Sequence, residues 1–282
     1  MSRLISLVAL LLAGCAHLVA APIPMKTKED LLPTGEKARC LLVLLPGVAD
    51  RAATFGEQGF VAQLRQRGLS VDVVAADSTV GYYLRGIDAS RLERDVVGPA
   101  RARGYERVWM AGVSMGGYGT LHYAAKFPGL LDGIVALSPH LGEINVQQSI
   151  RLAGGLKHWH APLRNPSVAP NHTEQTWQWI RGVTLEDKPG PQIFLGAGDM
   201  DPLVGKATLL AAVLPPSHVF QIEGGHSWGT WKRLWSRFLD ASDFKDQCAP
   251  ISGQEGSRTL RSQLTHFRGG TALTRISPLK TP

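Results

Sequence analysis

A chain of 282 residues that is 44% hydrophobic and 19% charged is long enough to bury one sizeable core, and this composition excludes a disordered or collagen-like chain. Three cysteines are too few for a disulfide-rich scaffold. The formal charge of +7 raises the question of a polynucleotide partner, but basic and aromatic residues are not interleaved and no nucleic-acid-binding motif is present, so no nucleic acid is expected.

At the N-terminus, Met1-Ser2-Arg3 precedes an apolar run from Leu4 to Leu12, too short to span a bilayer and patterned as a secretory signal. The run ends in Leu12-Ala13-Gly14-Cys15, which resembles a bacterial lipobox. That resemblance implies a signal peptide over 1–14, lipidation of Cys15, and a lipidated N-terminus and linker over 15–38. Acyl chains on Cys15 would hold the protein to a membrane of the bacterial cell envelope, facing the periplasm or exterior. An ordinary signal cut near Ala20 is the alternative and would leave a soluble secreted or periplasmic protein.

From Arg39 the pattern alternates. Arg39 to Leu45 is the most strand-like run and breaks at Pro46-Gly47-Val48-Ala49-Asp50. A helix is predicted over Phe60 to Arg67, with Phe60, Val61 and Leu64 at helical spacing and a stop at Gly68. A strand over Ser70 to Ala75 follows, then Tyr82 and Tyr83, placed to line an entrance, and a helix from Arg91 to Arg103. A strand Arg107 to Ala111 runs into Gly112-Val113-Ser114-Met115-Gly116, and a helix Gly117 to Phe127 is stopped by Pro128-Gly129. Gly133 to Leu137 reads as the next strand. Strands that alternate with helices and run almost continuously apolar imply a parallel sheet buried on both faces, hence an α/β fold.

The segment from about 141 to 189 departs from this rhythm and carries Trp159, Trp177 and Trp179. It reads either as a cap-like insertion over a site or as an excursion whose tryptophans pack on the body. His158 and His160 lie two apart without acids or cysteines beside them, so no metal is expected. The last strands, Gln192 to Gly196 and His218 to Ile222, end in Ala197-Gly198-Asp199-Met200-Asp201-Pro202-Leu203-Val204 and in Glu223-Gly224-Gly225-His226-Ser227-Trp228. On the final helix Trp231 and Trp235 lie four apart on one face, the spacing of core residues.

G-x-S-x-G at a strand-to-helix turn, followed by an acid loop and then a histidine loop, gives the order Ser, Asp, His. On these residues the chain resembles the serine α/β-hydrolases of the esterase/lipase type over roughly 39–245. The resemblance implies a mostly parallel sheet with helices on both faces, occupying 39–248. It makes Ser114 the nucleophile, His226 the base and Asp201 the orienting acid, with Asp199 the alternative acid and Glu143 a remote one. Met115 and Val48 would supply the oxyanion-hole amides, with Ala49 behind Val48; the family often has His-Gly where this chain has Pro46-Gly47. The implied activity is cleavage of a carboxylic ester through an acyl-enzyme, with no cofactor, on a small-molecule ester or lipid-like substrate. A thioesterase or lysophospholipase would use the same triad, and a noncatalytic envelope binding protein on the same scaffold is the reading from another class. The oligomeric state is left open.

With Cys15 assigned to lipid, Cys40 and Cys248 remain, and an exported compartment would allow them to pair. Cys40 starts a strand and Cys248 follows a helix that returns from the His226 loop, so the topology is compatible with a disulfide between them, and two free thiols are the alternative. Residues 249–282 are rich in Ser, Thr and Gly, carry Arg258, Arg261, Arg268, Arg275 and Lys280 against Glu255, and are expected to form a disordered basic tail.

Overall fold

The computed structural model describes residues 20–33, 38–163 and 171–250. The expectations for the signal segment, for Cys15 and for the tail beyond Pro250 fall on residues outside these.

Seven strands form one sheet in the order β1-β3-β2-β4-β5-β6-β7. They are β1 (Thr27–Asp30), β2 (Cys40–Leu45), β3 (Val71–Ala76), β4 (Arg107–Val113), β5 (Gly133–Leu137), β6 (Gln192–Gly198) and β7 (Val219–Ile222). All neighbouring pairs are parallel except β1, which runs antiparallel along β3 with Thr27 opposite Ala76. The helices are α1 (Thr54–Glu57), α2 (Phe60–Gln66), α3 (Val80–Leu84), α4 (Asp88–Leu92), α5 (Gly98–Arg101), α6 (Met115–Lys126), α7 (Ile144–Leu152), α8 (His172–Leu185), α9 (Val204–Ala211), α10 (Trp228–Ala241) and α11 (Phe244–Gln247). This is the mostly parallel sheet, with helices on both faces, of the α/β-hydrolase fold.

The unbroken apolar strands follow from this layering. Leu41, Val43 and Leu45 of β2 point into one core with Leu121 and Tyr123 of α6 and Trp177 of α8. Cys40, Leu42 and Leu44 point into the other with Phe60 of α2 and Trp235 and Phe238 of α10. Successive residues of a strand face opposite sides, so a strand covered on both must be apolar at every position. Trp109 fills the second core between Phe194, Phe238 and Phe244.

Two features differ from the sequence-based expectation. The stretch expected as a linker contains β1, an edge strand whose four residues are all exposed and which is held by its backbone; a short polar edge strand carries no apolar alternation. The helix expected over Arg91 to Arg103 is interrupted by a π turn at Glu93–Val97, just before Pro99, which has no N–H to return to Asp95. The 141–189 segment, for which the sequence leaves open both a cap-like insertion and an excursion packed on the body, contains the crossover from β5 to β6, with α8 packed along α6. Trp159 and Trp177 are buried there, their indoles donating to Ser149 Oγ and to the Leu141 carbonyl.

β2 and β4 are neighbours, yet the chain leaves β2 toward β3 on one side and returns to β4 on the other. Sheets of this kind open a crevice where the connections diverge, beyond the carboxyl ends of the strands.

Candidate active site

The turn from β4 into α6 is built by close approach. A Cβ on Gly112 would lie 2.3 Å from the Gly116 backbone, and one on Gly116 would lie 2.1 Å from the Leu45 carbonyl oxygen. No side chain fits at either position. Between them Ser114 takes φ 52°, a left-handed conformation rare for a residue with a side chain. The strain is over-determined by its neighbours: Ser114 N–H donates to the Leu137 carbonyl and the Ser114 carbonyl accepts from His140 N–H, which ties the turn to the end of β5. Ser138, with φ 45°, is the matching distortion on that side.

This turn lifts the Ser114 hydroxyl to 3.0 Å from His226 Nε2. On the other side of the imidazole, His226 Nδ1 lies 2.9 Å from an Asp201 carboxylate oxygen. Asp201 is fully buried at its side chain, whereas His226 remains partly open to solvent. The other Asp201 oxygen accepts from Leu203 N–H at 2.7 Å, so the carboxylate is fixed by the chain that follows it. Trp231 sets its ring edge-on to the imidazole, 4.9 Å between centroids. Ser114, His226 and Asp201, from three loops at the carboxyl ends of β4, β7 and β6, thus form one continuous hydrogen-bonded line.

The other candidate acids lie elsewhere. Asp199 accepts from Gly224 N–H at 2.9 Å while its own N–H donates to the Ile222 carbonyl, clamping the loop that carries His226 without touching the imidazole. The Glu143 carboxylate accepts from the Asn171 side chain. Among the described residues no group of three or more His, Cys, Asp or Glu is arranged to hold a metal ion.

For the oxyanion-hole donors, Met115 is the first residue of α6, where a helix leaves its amides without intrahelical acceptors. Opposite, the Pro46-to-Asp50 loop brings Gly47 against Ser114; a Cβ on Gly47 would stand 3.5 Å from that of Ser114 and 3.0 Å from an Asp50 carboxylate oxygen. Val48 follows on the same loop and is exposed toward solvent. The loop is fastened by Trp228, whose indole donates to Asp50 at 3.0 Å, and by Asp50 N–H donating to the Gly47 carbonyl. The contact between Asp50 and Trp228 is the support that sequence reasoning missed: each stands in a stretch the sequence singles out, Pro46 to Asp50 and Glu223 to Trp228, but they lie 178 positions apart.

His140 borders the turn. Its Nδ1 is buried without a hydrogen-bond partner, and its pKa lies below the ordinary histidine value because burial disfavours the charged ring and Lys206 is nearby. Of the two tyrosines expected at the entrance, Tyr82 is buried with its hydroxyl bound to the Pro22 carbonyl. Tyr83 reaches under α6, where its hydroxyl would stand 2.2 Å from a Cβ on Gly119. Cys40 and Cys248 form a disulfide at the amino end of β2, remote from Ser114.

No curated protein matches the chain. Among solved structures, an S-formylglutathione hydrolase of Staphylococcus aureus superposes with a TM-score of 0.52 at 15% identity, covering 77% of this chain and 89% of the other. Est1E of Butyrivibrio proteoclasticus gives a TM-score of 0.49 at 16% identity, over 76% of this chain and 93% of the other. At 15% identity the likeness to the first of these concerns the fold alone. The family model described as "Putative esterase" matches residues 98–239, from the start of α5 to the last turns of α10. The match takes in half of the chain and spans Ser114, Asp201 and His226, and the chain belongs to the putative esterase family.

Proposed function

We propose that the protein is a serine hydrolase that cleaves carboxylic esters through an acyl-enzyme. The observation that carries this reading is the line Ser114 Oγ, His226, Asp201, with contacts of 3.0 and 2.9 Å. His226 Nε2 takes the hydroxyl proton as Ser114 Oγ attacks the acyl carbon, and the negative charge that develops on the carbonyl oxygen is met by the amides of Met115 and Val48. His226 then gives its proton to the departing alcohol oxygen. In the second half a water loses a proton to His226, attacks the acyl carbon and releases the acid, restoring Ser114. Asp201 holds the tautomer in which Nδ1 carries the proton and steadies the imidazolium. Neither metal nor organic cofactor enters the cycle, and the partner it requires is the ester itself.

A fluorophosphonate probe is expected to label the wild-type chain and to leave Ser114→Ala unlabelled. A p-nitrophenyl ester series of increasing acyl length is turned over by the former, and hydrolysis falls about 10³-fold or more in the latter. Labelling that persists in Ser114→Ala would refute the assignment.

The lipobox-like Leu12-Ala13-Gly14-Cys15 supports a second proposal: the mature chain begins at a lipidated Cys15 and works on the envelope, tethered to a membrane. Globomycin, which blocks lipoprotein signal cleavage, is expected to accumulate a larger precursor in wild-type cells, and Cys15→Ala is expected to abolish acylation. An unshifted wild-type band together with a membrane-bound Cys15→Ala variant excludes the anchor.

A further inference from the structure

Nine large apolar side chains stand exposed among the described residues, and five of them occupy one end of the sheet. Val48 follows β2, Leu84 lies on α3 just after β3, Ile144 opens α7 after β5, and Met200 follows β6. These are the carboxyl ends of parallel strands, the end where Ser114 lies. Ile23 precedes β1, and the antiparallel register that sets Thr27 opposite Ala76 brings it to the same end. The exposures are large: 72% for Leu84, 67% for Ile23 and 66% for Met200. Exposed apolar tips that share the end of the sheet carrying Ser114 suit an interaction surface at that end.

The path of the chain identifies what covers it. The Ala20 carbonyl accepts from the Thr79 hydroxyl and the Pro22 carbonyl from the Tyr82 hydroxyl. Both partners lie on the segment that leaves the carboxyl end of β3, so the N-terminal chain enters the fold on this same rim. Cys15 precedes Ala20 by five residues, which reach at most roughly 18 Å even when fully extended. Lys26 and Arg85 are exposed close to Ile23 and Leu84 along the chain, while Glu143 and Asp199 are exposed beside Ile144 and Met200, so it is the Ile23–Leu84 side of the rim, where the N-terminal chain enters, whose cations suit an anionic lipid surface.

We propose that this end of the sheet is a membrane-facing surface. It rests on the phospholipid leaflet that holds the Cys15 acyl chains, with the Ser114 turn opening toward that leaflet, and the substrate is an amphipathic acyl ester drawn from it. The inference builds on the serine-hydrolase reading and on the Cys15 anchor. A short tether attached at this rim keeps the rim beside the membrane, and the exposed apolar tips then set which way the crevice points.

The test uses the full chain reconstituted into vesicles of phosphatidylethanolamine and phosphatidylglycerol, comparing wild type with Leu84→Glu/Ile144→Glu. Two substrates are offered: a long-chain monoacyl ester embedded in the vesicles and a short, water-soluble p-nitrophenyl ester. Charges placed on the rim are expected to raise the KM for the embedded ester about five-fold or more, because a carboxylate resists entering the headgroup–acyl boundary. Turnover of the soluble ester should stay within about two-fold, since exposed positions away from the triad carry little stability. An unchanged KM for the embedded ester, with normal turnover of the soluble one, overturns the membrane-facing surface. If wild type hydrolyses neither ester, the hydrolase reading itself fails and takes this inference with it.

Discussion

Two aspartates two residues apart divide the work of one loop, and the division follows from what each carboxylate touches. Asp201 contacts His226 Nδ1 and Leu203 N–H, whereas Asp199 accepts from Gly224 N–H. Asp201→Asn keeps the shape but, in the proposed mechanism, presents an amide in place of the charge that stabilises the imidazolium, and is expected to lower kcat by about 10⁴-fold. Asp199→Asn retains an oxygen for Gly224 and is expected to cost less than about tenfold, the scale of one weakened hydrogen bond. Steady-state kinetics on a soluble ester, with circular dichroism to establish folding, separate the two; the reverse order of losses would transfer the acid's role to Asp199. At this scale the candidate triad was legible because each of its residues stands in a short local pattern: Gly-x-Ser-x-Gly, an acid before Pro202-Leu203-Val204, and Gly-Gly-His. The contact between Asp50 and Trp228 was not, because it closes over most of the chain length and nothing local to either stretch pairs the two side chains. The place of Val48, by contrast, followed from the turn after the first strong strand, although its exposure did not.

What could be read of an element depended on whether burial or backbone pairing forms it. β2, β4 and β5 are buried along nearly their whole length, and their unbroken apolar runs could be read from the sequence. β1 is exposed at every residue, so nothing in its Thr-Lys-Glu-Asp composition distinguished it from a linker; only its pairing with β3 makes it a strand. The π turn at Glu93–Val97 was hidden in a different way, since Pro99 interrupts the hydrogen-bond ladder without altering the apolar spacing of Leu92, Val96 and Val97. α8 has a capped start, Asn171 accepting from Glu174 N–H at 3.0 Å, but the 34 residues that separate β5 from α8 obscured its place in the crossover, packed along α6. Its burial against α6 supports the helix whose first turn carries Met115. The same helix brings His172 against His122, 5.0 Å between ring centroids, so α8 is keyed to the elbow helix by polar as well as apolar contacts.

Across the whole body, the site and the covalent closure lie at opposite ends of the sheet. Cys40 begins β2 at its amino end, while the Ser114 turn and the Val48 loop lie at the carboxyl ends of β2 and β4. The Cys40–Cys248 bond joins residues 208 apart, and Ser70 N–H donates to the Cys248 carbonyl at 2.8 Å, which seats the end of the body beside β3. A crosslink closing so long a loop removes many unfolded conformations while leaving the folded crevice unchanged. Its removal is expected to cost about 2–5 kcal/mol, which for a body of this size corresponds to a fall in Tm of roughly 5–15 °C. Both cysteines are fully buried, so Cys40→Ala/Cys248→Ala is the suitable variant, since serine would bury a hydroxyl in an apolar core. Thermal unfolding followed by circular dichroism should show the drop, and kcat/KM on a soluble ester at 25 °C should remain within about two-fold, because the missing bond lies far from Ser114 and sites so separated behave additively. A Tm equal to that of wild type would show that the bond does not stabilise the fold. A preserved Tm with lost turnover would mean that the disulfide acts on the crevice through the length of β2, and the two ends of the sheet could no longer be treated as independent.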